Sequence, residues 1–272
     1  MSRVDLPQGP IAYRELGEGE PLLFVHGLLV DGRLWSDVPD RLASEFRCLV
    51  PDWPMGSHRL AMNPDADLSP SGTAEIITAF IDALGLDRVT VVGNDTGGAM
   101  SQIFTARHSD RVERLLLTNC DMLDVFPPFP FNFMPPLARL PGGMTAMAAP
   151  FRIGAVRRAT YAMLVKHPIS PELPDSWLEP VMTDPEIKRD AAKFTGGVHK
   201  RHTLEAAERL RSFERPVRLI WAPEDRFFKL AKAKQFAAML PDARIETIDD
   251  AKTFVPLDQP QRVAELVREF CR

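Results

Sequence analysis

A strand, a tight turn and the start of a helix follow one another in the stretch Val91-Val92-Gly93-Asn94-Asp95-Thr96-Gly97-Gly98-Ala99. Its β-branched residues are typical of a buried strand, and its small residues allow a helix to pack closely on that strand. Asp95 lies at the turn between the two elements. A sharp turn there presents the side chain at the end of the strand. The stretch therefore predicts an α/β fold with a carboxylate displayed at the edge of its sheet.

The composition is that of an ordinary globular protein. The chain has 272 residues, of which 45% are hydrophobic and 26% charged, enough for one large α/β domain with an insertion. The net charge of -4 gives no reason to expect nucleic acid or a membrane as a partner. We find neither a signal peptide nor an apolar run of about 18 residues.

Three cysteines, Cys48, Cys120 and Cys271, are widely spaced and lack the spacing of metal ligands. They predict reduced thiols and a cytoplasmic location. We expect no metal and no cofactor, and the sequence leaves the oligomeric state open.

Apolar runs rich in β-branched residues alternate with helical patterns through most of the chain. This alternation predicts a largely parallel sheet covered on both faces. The predicted strands are Ile11–Leu16, Leu22–His26, Cys48–Asp52, Val89–Gly93, Leu115–Asn119, Val217–Trp221 and Arg244–Ile248.

Prolines interrupt this alternation in the middle of the chain. The stretch Phe126-Pro127-Pro128-Phe129-Pro130-Phe131 opens a segment that cannot form central strands, because proline lacks the N–H that pairs with a neighbouring strand. Helical pieces rich in Met, Ala and Arg follow. We predict a helical lid over residues 122–199, covering the carboxyl ends of the strands, and a core built from residues 1–121 and 200–272.

Five motifs, in this order and each following a strand-like run, resemble the α/β-hydrolase superfamily over nearly the whole chain. They are Phe24-Val25-His26-Gly27-Leu28, Asp52-Trp53-Pro54-Met55-Gly56-Ser57, the turn at Asp95, Ile220-Trp221-Ala222-Pro223-Glu224-Asp225, and the final loop from Asp250 to Pro260. The resemblance implies a mostly parallel, eight-stranded sheet with the lid inserted after the sixth strand.

The resemblance also implies roles for particular residues. Asp95 takes the position of the nucleophile, and the backbone N–H groups of Leu28 and Thr96 take the positions of the oxyanion hole. Asp225 matches the acid that orients the catalytic histidine. Asp121 matches the alternative acid that some members with an aspartate nucleophile use.

The final loop departs from the family pattern because Thr253 stands where the catalytic histidine is expected. An alkyl ester on Asp95 needs a base that activates water, and a threonine hydroxyl is too weakly basic near neutral pH. Lys252 and His58 are alternative bases. For Lys252 the competing interpretation is a solvated charge cluster, and for His58 it is a loop residue without chemistry.

This chain matches the motifs of two branches of the superfamily only in part. Haloalkane dehalogenases usually have Trp after the nucleophile and a second donor near the His-Gly turn, where this chain has Thr96 and Leu28. Epoxide hydrolases usually show His-Gly-x-Pro and two lid tyrosines. Here Leu29 replaces that proline, and Tyr161 is the one tyrosine in the lid segment.

These residues predict an enzyme that acts on a small apolar molecule with Asp95 as nucleophile or base. The reaction is the hydrolysis of an ester, C–halogen or epoxide bond, or a non-hydrolytic proton transfer. The alternative is a degenerate member of the fold that binds a hydrophobic ligand as a sensor or carrier. The turn that displays Asp95 favours the enzyme, and the missing histidine favours the binding protein.

Overall fold

An eight-stranded sheet forms the centre of the protein, which is described by a computed structural model over residues 1–35 and 37–272. The strands are β1 Ser2–Leu6, β2 Gly9–Leu16, β3 Glu20–Val25, β4 Phe46–Pro51, β5 Val89–Asp95, β6 Val112–Cys120, β7 Val217–Trp221 and β8 Ala243–Thr247. Their spatial order is β1-β2-β4-β3-β5-β6-β7-β8. Among these strands, β2 pairs antiparallel with β1 and β4, and the remaining pairs are parallel. The predicted mostly parallel α/β sheet is confirmed.

Twelve α-helices surround or extend the sheet in the described part of the chain. They are α1 Val38–Leu42, α2 Pro70–Ala83, α3 Thr96–Arg107, α4 Met134–Ala138, α5 Gly143–Ala148, α6 Gly154–Ala162, α7 Glu172–Thr183, α8 Pro185–Gly197, α9 Lys200–Leu210, α10 Leu230–Ala237, α11 Val255–Asp258 and α12 Pro260–Cys271. Short 3-10 segments occur at Gly32–Trp35, Ser109–Arg111, Phe131–Phe133 and Ala149–Arg152. Among the described residues, no helix combines the length and the apolarity needed to span a bilayer.

Both faces of the sheet are buried, which explains why the central strands read as continuous apolar runs. Alternate strand residues such as Leu23 and Val91 pack under α2, α3, α9 and α10. Their neighbours, such as Leu22 and Val92, pack under α1 and α12 on the opposite face. The carboxyl ends of the parallel strands therefore meet at one edge of a rigid layer.

Seven predicted strands occur where expected, and β7 has the predicted bounds. The sequence patterns missed β1, which pairs only with β2 at the edge of the sheet. Its residues are mostly exposed and charged or polar, so it shows no apolar run. An edge strand needs one partner and little burial, which explains the missing signal.

The chain between β6 and α9 forms helices α4 to α8. Their shared apolar cluster includes Tyr161 and Trp177, and it packs on Val30 after β3 and on Phe254 after β8. Val30 and Phe254 lie in loops that follow the carboxyl ends of parallel strands. The helices therefore lie beside the edge of the sheet at which Asp95 is displayed.

Candidate active site

Asp95 occupies a strained backbone conformation between β5 and α3, with φ 55° and ψ -134°. A non-glycine residue adopts such angles rarely, and they occur mainly at functional sites. The turn fits only because its neighbours have no side chains. A Cβ on Gly97 would lie 2.1 Å from the Val25 carbonyl oxygen, and one on Gly27 would lie 2.0 Å from Asp95 Oδ2. The Gly27 turn thus touches the carboxylate directly.

The backbone N–H groups of Thr96 and Leu28 face the carboxylate of Asp95 and lower its pKa. These are the two groups that the sequence resemblance assigned to an oxyanion hole, and the structure brings them together on one side chain. Burial raises the pKa of Asp95 to about 7, with a further contribution from the charge of Asp225, while the two N–H groups oppose the shift. Near neutral pH, Asp95 is therefore divided between its acid and its carboxylate forms.

Thr253 contacts Asp225, the acid that the sequence resemblance predicts to orient a catalytic histidine. Its Oγ1 donates to Asp225 Oδ2 at 3.1 Å, and Asn119 Nδ2 donates to the same oxygen at 2.9 Å. The backbone N–H of Phe227 donates to Asp225 Oδ1 at 2.8 Å. Both Thr253 and Asp225 are buried, and burial raises the pKa of Asp225. The Thr253 hydroxyl is thus one of the hydrogen-bond donors that hold this carboxylate.

Two asparagines that the sequence patterns did not single out hold this arrangement together. Asn94 Nδ2 donates to the Thr253 carbonyl oxygen at 2.7 Å, which fixes the final loop beside the Asp95 turn. Asn119 bridges β6 and β7, because its Oδ1 also accepts from the Ala222 N–H at 2.7 Å. Their position could have identified them in the sequence, because each is a polar residue at the end of an otherwise apolar strand.

Asp121 is a second carboxyl group close to Asp95, because Cys120 pairs with Asp95 in the sheet and Asp121 follows it. Thr96 Oγ1 donates to Asp121 Oδ2 at 3.1 Å, while Asp121 Oδ1 has no hydrogen-bond partner among the described residues. Burial, reinforced by the charge of Asp95, raises the pKa of Asp121 well above its usual value. Burial therefore favours the protonated form of Asp121 over its carboxylate.

The structure does not bring the two alternative bases to this site. Lys252 Nζ donates to the Val165 carbonyl oxygen at 2.9 Å. Both ring nitrogens of buried His58 are occupied, since Nδ1 accepts from the Gly56 N–H and Nε2 donates to Asp190 Oδ2 at 3.3 Å. Neither Lys252 nor His58 lines the cavity above Asp95. Within the described chain, no group of three or more His, Cys, Asp and Glu residues is arranged to hold a metal ion.

A cavity of about 420 Å³ ends on Asp95 and Thr96. Its walls are mainly apolar and come largely from the helical segment between β6 and β7, including Phe131, Met144, Met147, Phe151, Val156 and Leu164. The hydroxyl groups of Thr160 and Tyr161 are among its few polar groups, and Tyr161 Oη donates to the Leu29 carbonyl oxygen at 2.5 Å. A larger depression of about 680 Å³ lies beside Arg88 and Arg111 at the amino ends of the strands, away from these carboxyl groups. The apolar cavity is therefore the candidate site.

Comparison with known proteins agrees with this geometry. A profile described as the alpha/beta hydrolase fold matches residues 20–260, so the chain belongs to the α/β-hydrolase fold family. Haloalkane dehalogenase 2 of Mycobacterium tuberculosis is 26% identical over 282 residues, covering 97% of this chain and 92% of that protein.

Two solved structures share the fold. The crystal structure of an ancestral haloalkane dehalogenase superposes with a TM-score of 0.83 at 21% identity, covering 99% of this chain and 97% of that one. The epoxide hydrolase CorEH superposes with a TM-score of 0.82 at 19% identity, with the same coverage of 99% and 97%. At such identities these two structures establish the fold alone. The activity has to be inferred from the residues of the site.

Proposed function

We propose that this protein is an enzyme in which Asp95 attacks a carbon atom of a small apolar epoxide. One carboxylate oxygen forms a C–O bond to that carbon, the C–O bond of the epoxide breaks, and the resulting alkoxide takes a proton. The product is an alkyl ester on Asp95. The observation that supports this proposal is the Asp95 carboxylate at the end of an apolar cavity, with the N–H groups of Thr96 and Leu28 facing it.

The polar groups in the cavity favour an epoxide over a haloalkane. N–H donors such as an indole speed the departure of a halide, and no Trp or Asn lines the cavity in the described chain. A phenol does line it, and burial raises the pKa of Tyr161, which keeps its proton in place. We assign Tyr161 as the donor to the opening oxygen, once its hydroxyl turns from the Leu29 carbonyl oxygen.

We further propose that residues 122–199 act as a lid over this reaction. The support is that most of the cavity wall comes from this segment, while Asp95 and Thr96 come from the sheet. An apolar cover excludes water from the nucleophile, and a desolvated carboxylate attacks carbon more readily than a hydrated one. The size and the lining of the cavity select small apolar molecules.

The ester on Asp95 should be long-lived, because the site offers no strong base to activate water. The Thr253 hydroxyl donates its proton to Asp225 and has negligible basicity near pH 7. Lys252 and His58 are occupied elsewhere. We therefore infer rapid formation of the ester and slow hydrolysis.

Incubation with styrene oxide, followed by intact-protein mass spectrometry, tests the proposal. We expect the protein mass to increase by that of one epoxide, with the modification on the peptide that contains Asp95. Because the nucleophile is the ionised form, the rate should rise through about pH 7 and level off above it. If a panel of aryl and alkyl epoxides never labels Asp95, the nucleophile proposal is wrong.

Tyr161→Phe should slow labelling by epoxides about 100-fold, because general acid catalysis contributes about 10²- to 10⁴-fold. Labelling by a primary alkyl iodide needs no proton, and it should change less than about threefold. The ratio of the two rates is therefore the measurement. An equal loss with both reagents would show that Tyr161 only shapes the cavity.

A second candidate is proton transfer with Asp95 as a base. The pKa of about 7 favours it, since a base of that strength works near neutral pH and needs no second base. In that case, a carbon acid bound in the cavity would exchange its proton for deuterium without any change in protein mass. Ligand binding with neither exchange nor adduct, unaffected by Asp95→Asn, would instead identify a sensor or carrier.

A further inference from the structure

The segment that covers the cavity exposes an unusual share of the apolar side chains. Seven large apolar side chains are exposed in the described chain, and five of them belong to this segment: Phe129, Phe133, Leu140, Ile153 and Met163. Isolated exposed apolar residues are normal on protein surfaces, whereas a concentration in one segment indicates a binding surface.

One part of this segment, residues 125–171, is positively charged in an acidic protein. Between Val125 and Pro171 the sequence contains five Lys and Arg residues and no Asp or Glu, although the whole chain has a net charge of -4. Within the segment, Arg157 pairs with Asp175 and Lys166 pairs with Glu224. Arg152 and Arg158 are exposed, and neither makes an ion pair within 4 Å in the described chain, although Arg158 is near enough to the Asp175 carboxylate to lower its pKa. These two cations are available to an external anion.

Helix α6 links this surface to the cavity. Val156, Thr160 and Tyr161 on its inner side line the cavity. Its outer side exposes Arg158 and three alanines, Ala155, Ala159 and Ala162, with Ile153 and Met163 exposed at its two ends. A solvated surface helix ordinarily carries polar residues of both signs on its outer side. An outer side with cationic and apolar residues and no acid is typical of helices that lie in a membrane interface.

We propose that Arg152, Ile153, Arg158 and Met163, here called the cap surface, bind the surface of an anionic lipid bilayer. The two arginines attract lipid phosphates, and the two apolar side chains insert between the headgroups. The negative remainder of the chain is repelled by the same bilayer, which orients the cap surface towards it. The bilayer then supplies lipophilic molecules to the cavity directly behind α6.

The net charge of the whole chain averages the cationic part with the acidic remainder, so the sequence gave no reason to expect a membrane partner. The proposed membrane binding departs from that expectation. It does not depend on the chemistry of Asp95. An Asp95→Asn variant should bind the same vesicles as the wild type, so the two proposals can fail separately.

Co-sedimentation of the full chain with extruded vesicles tests the proposal. We expect binding to phosphatidylcholine vesicles that contain about one third phosphatidylglycerol, weak binding to pure phosphatidylcholine, and a decrease at high salt. Arg152→Glu combined with Arg158→Glu should reduce the bound fraction at least about tenfold. Ile153→Ser combined with Met163→Ser should also reduce it, and thermal unfolding of each variant verifies folding.

Matched controls come from α9, which lies outside the covering segment. Arg201→Glu combined with Arg209→Glu makes the same change in charge, and Leu204→Ser removes an exposed apolar side chain. Both should bind like the wild type. Binding without a preference for anionic lipid, no binding at all, or an equal loss in the α9 variants would overturn the proposal. A cap-surface variant that instead dissociates a dimer in light scattering would assign the surface to a second copy of the chain.

Discussion

A Thr253→His variant is expected to convert slow release of the Asp95 ester into multiple turnover, raising the rate of epoxide hydrolysis about 10²- to 10⁴-fold. The reason is the contact that Thr253 already makes. Its Oγ1 lies 3.1 Å from Asp225 Oδ2, so an imidazole nitrogen at this position can donate to the same carboxylate. The other ring nitrogen is then free to activate water beside the ester, whose carbonyl oxygen lies on the N–H groups of Thr96 and Leu28.

The measurement is the rate of diol formation over many equivalents of epoxide, together with the persistence of the adduct by mass. Thr253→Ala is the matched control, because it removes the hydroxyl without adding a base, and its adduct should persist. Adding Asp225→Asn to Thr253→His should abolish most of the gain, since the imidazole loses the group that orients it. If the histidine variant gains nothing, Thr253 does not occupy the position of the catalytic base.

An Asp95→Asn variant is expected to lose labelling by about 10³-fold or more while gaining stability at high pH. Burial raises the pKa of Asp95 to about 7 from the ordinary aspartate value of 3.8, so the folded state favours the protonated form. The free energy of unfolding therefore falls as the pH rises from about 4 to above 7, because the Asp95 carboxyl group becomes charged while it stays buried. Three pKa units correspond to about 4 kcal/mol, an upper bound for the gain at pH 8. At pH 4 the gain should vanish.

Urea unfolding at both pH values provides the measurement, and Asp52→Asn provides a matched control. Asp52 is also buried, with its pKa raised to about 7, and it accepts from the Gly32 N–H at 2.9 Å. It does not line the cavity, so Asp52→Asn should show the same pH-dependent gain while keeping full labelling of Asp95. A loss of stability in Asp95→Asn at pH 8 would contradict the raised pKa.

Local sequence patterns predicted the fold well, because each buried strand must carry apolar side chains on both faces. The runs at Leu22–His26 and Val217–Trp221 became β3 and β7 with small or no changes in bounds. The edge strand Ser2–Leu6 escaped prediction because it buries little surface and satisfies its backbone with one neighbour. The positions of the candidate residues at strand ends were equally readable, since parallel strands bring their carboxyl ends to one edge.

The sequence by itself determined the family, the turn that displays Asp95 and the absence of a histidine after His202. These are properties of local patterns and of residue order. Only the tertiary structure decided that the Thr253 hydroxyl meets Asp225, and that Lys252 and His58 are held elsewhere. It also raised the pKa of Asp95, because a pKa depends on the water and the charges that distant segments remove or bring close. A side chain's chemistry is therefore set by neighbours that lie far from it in the chain.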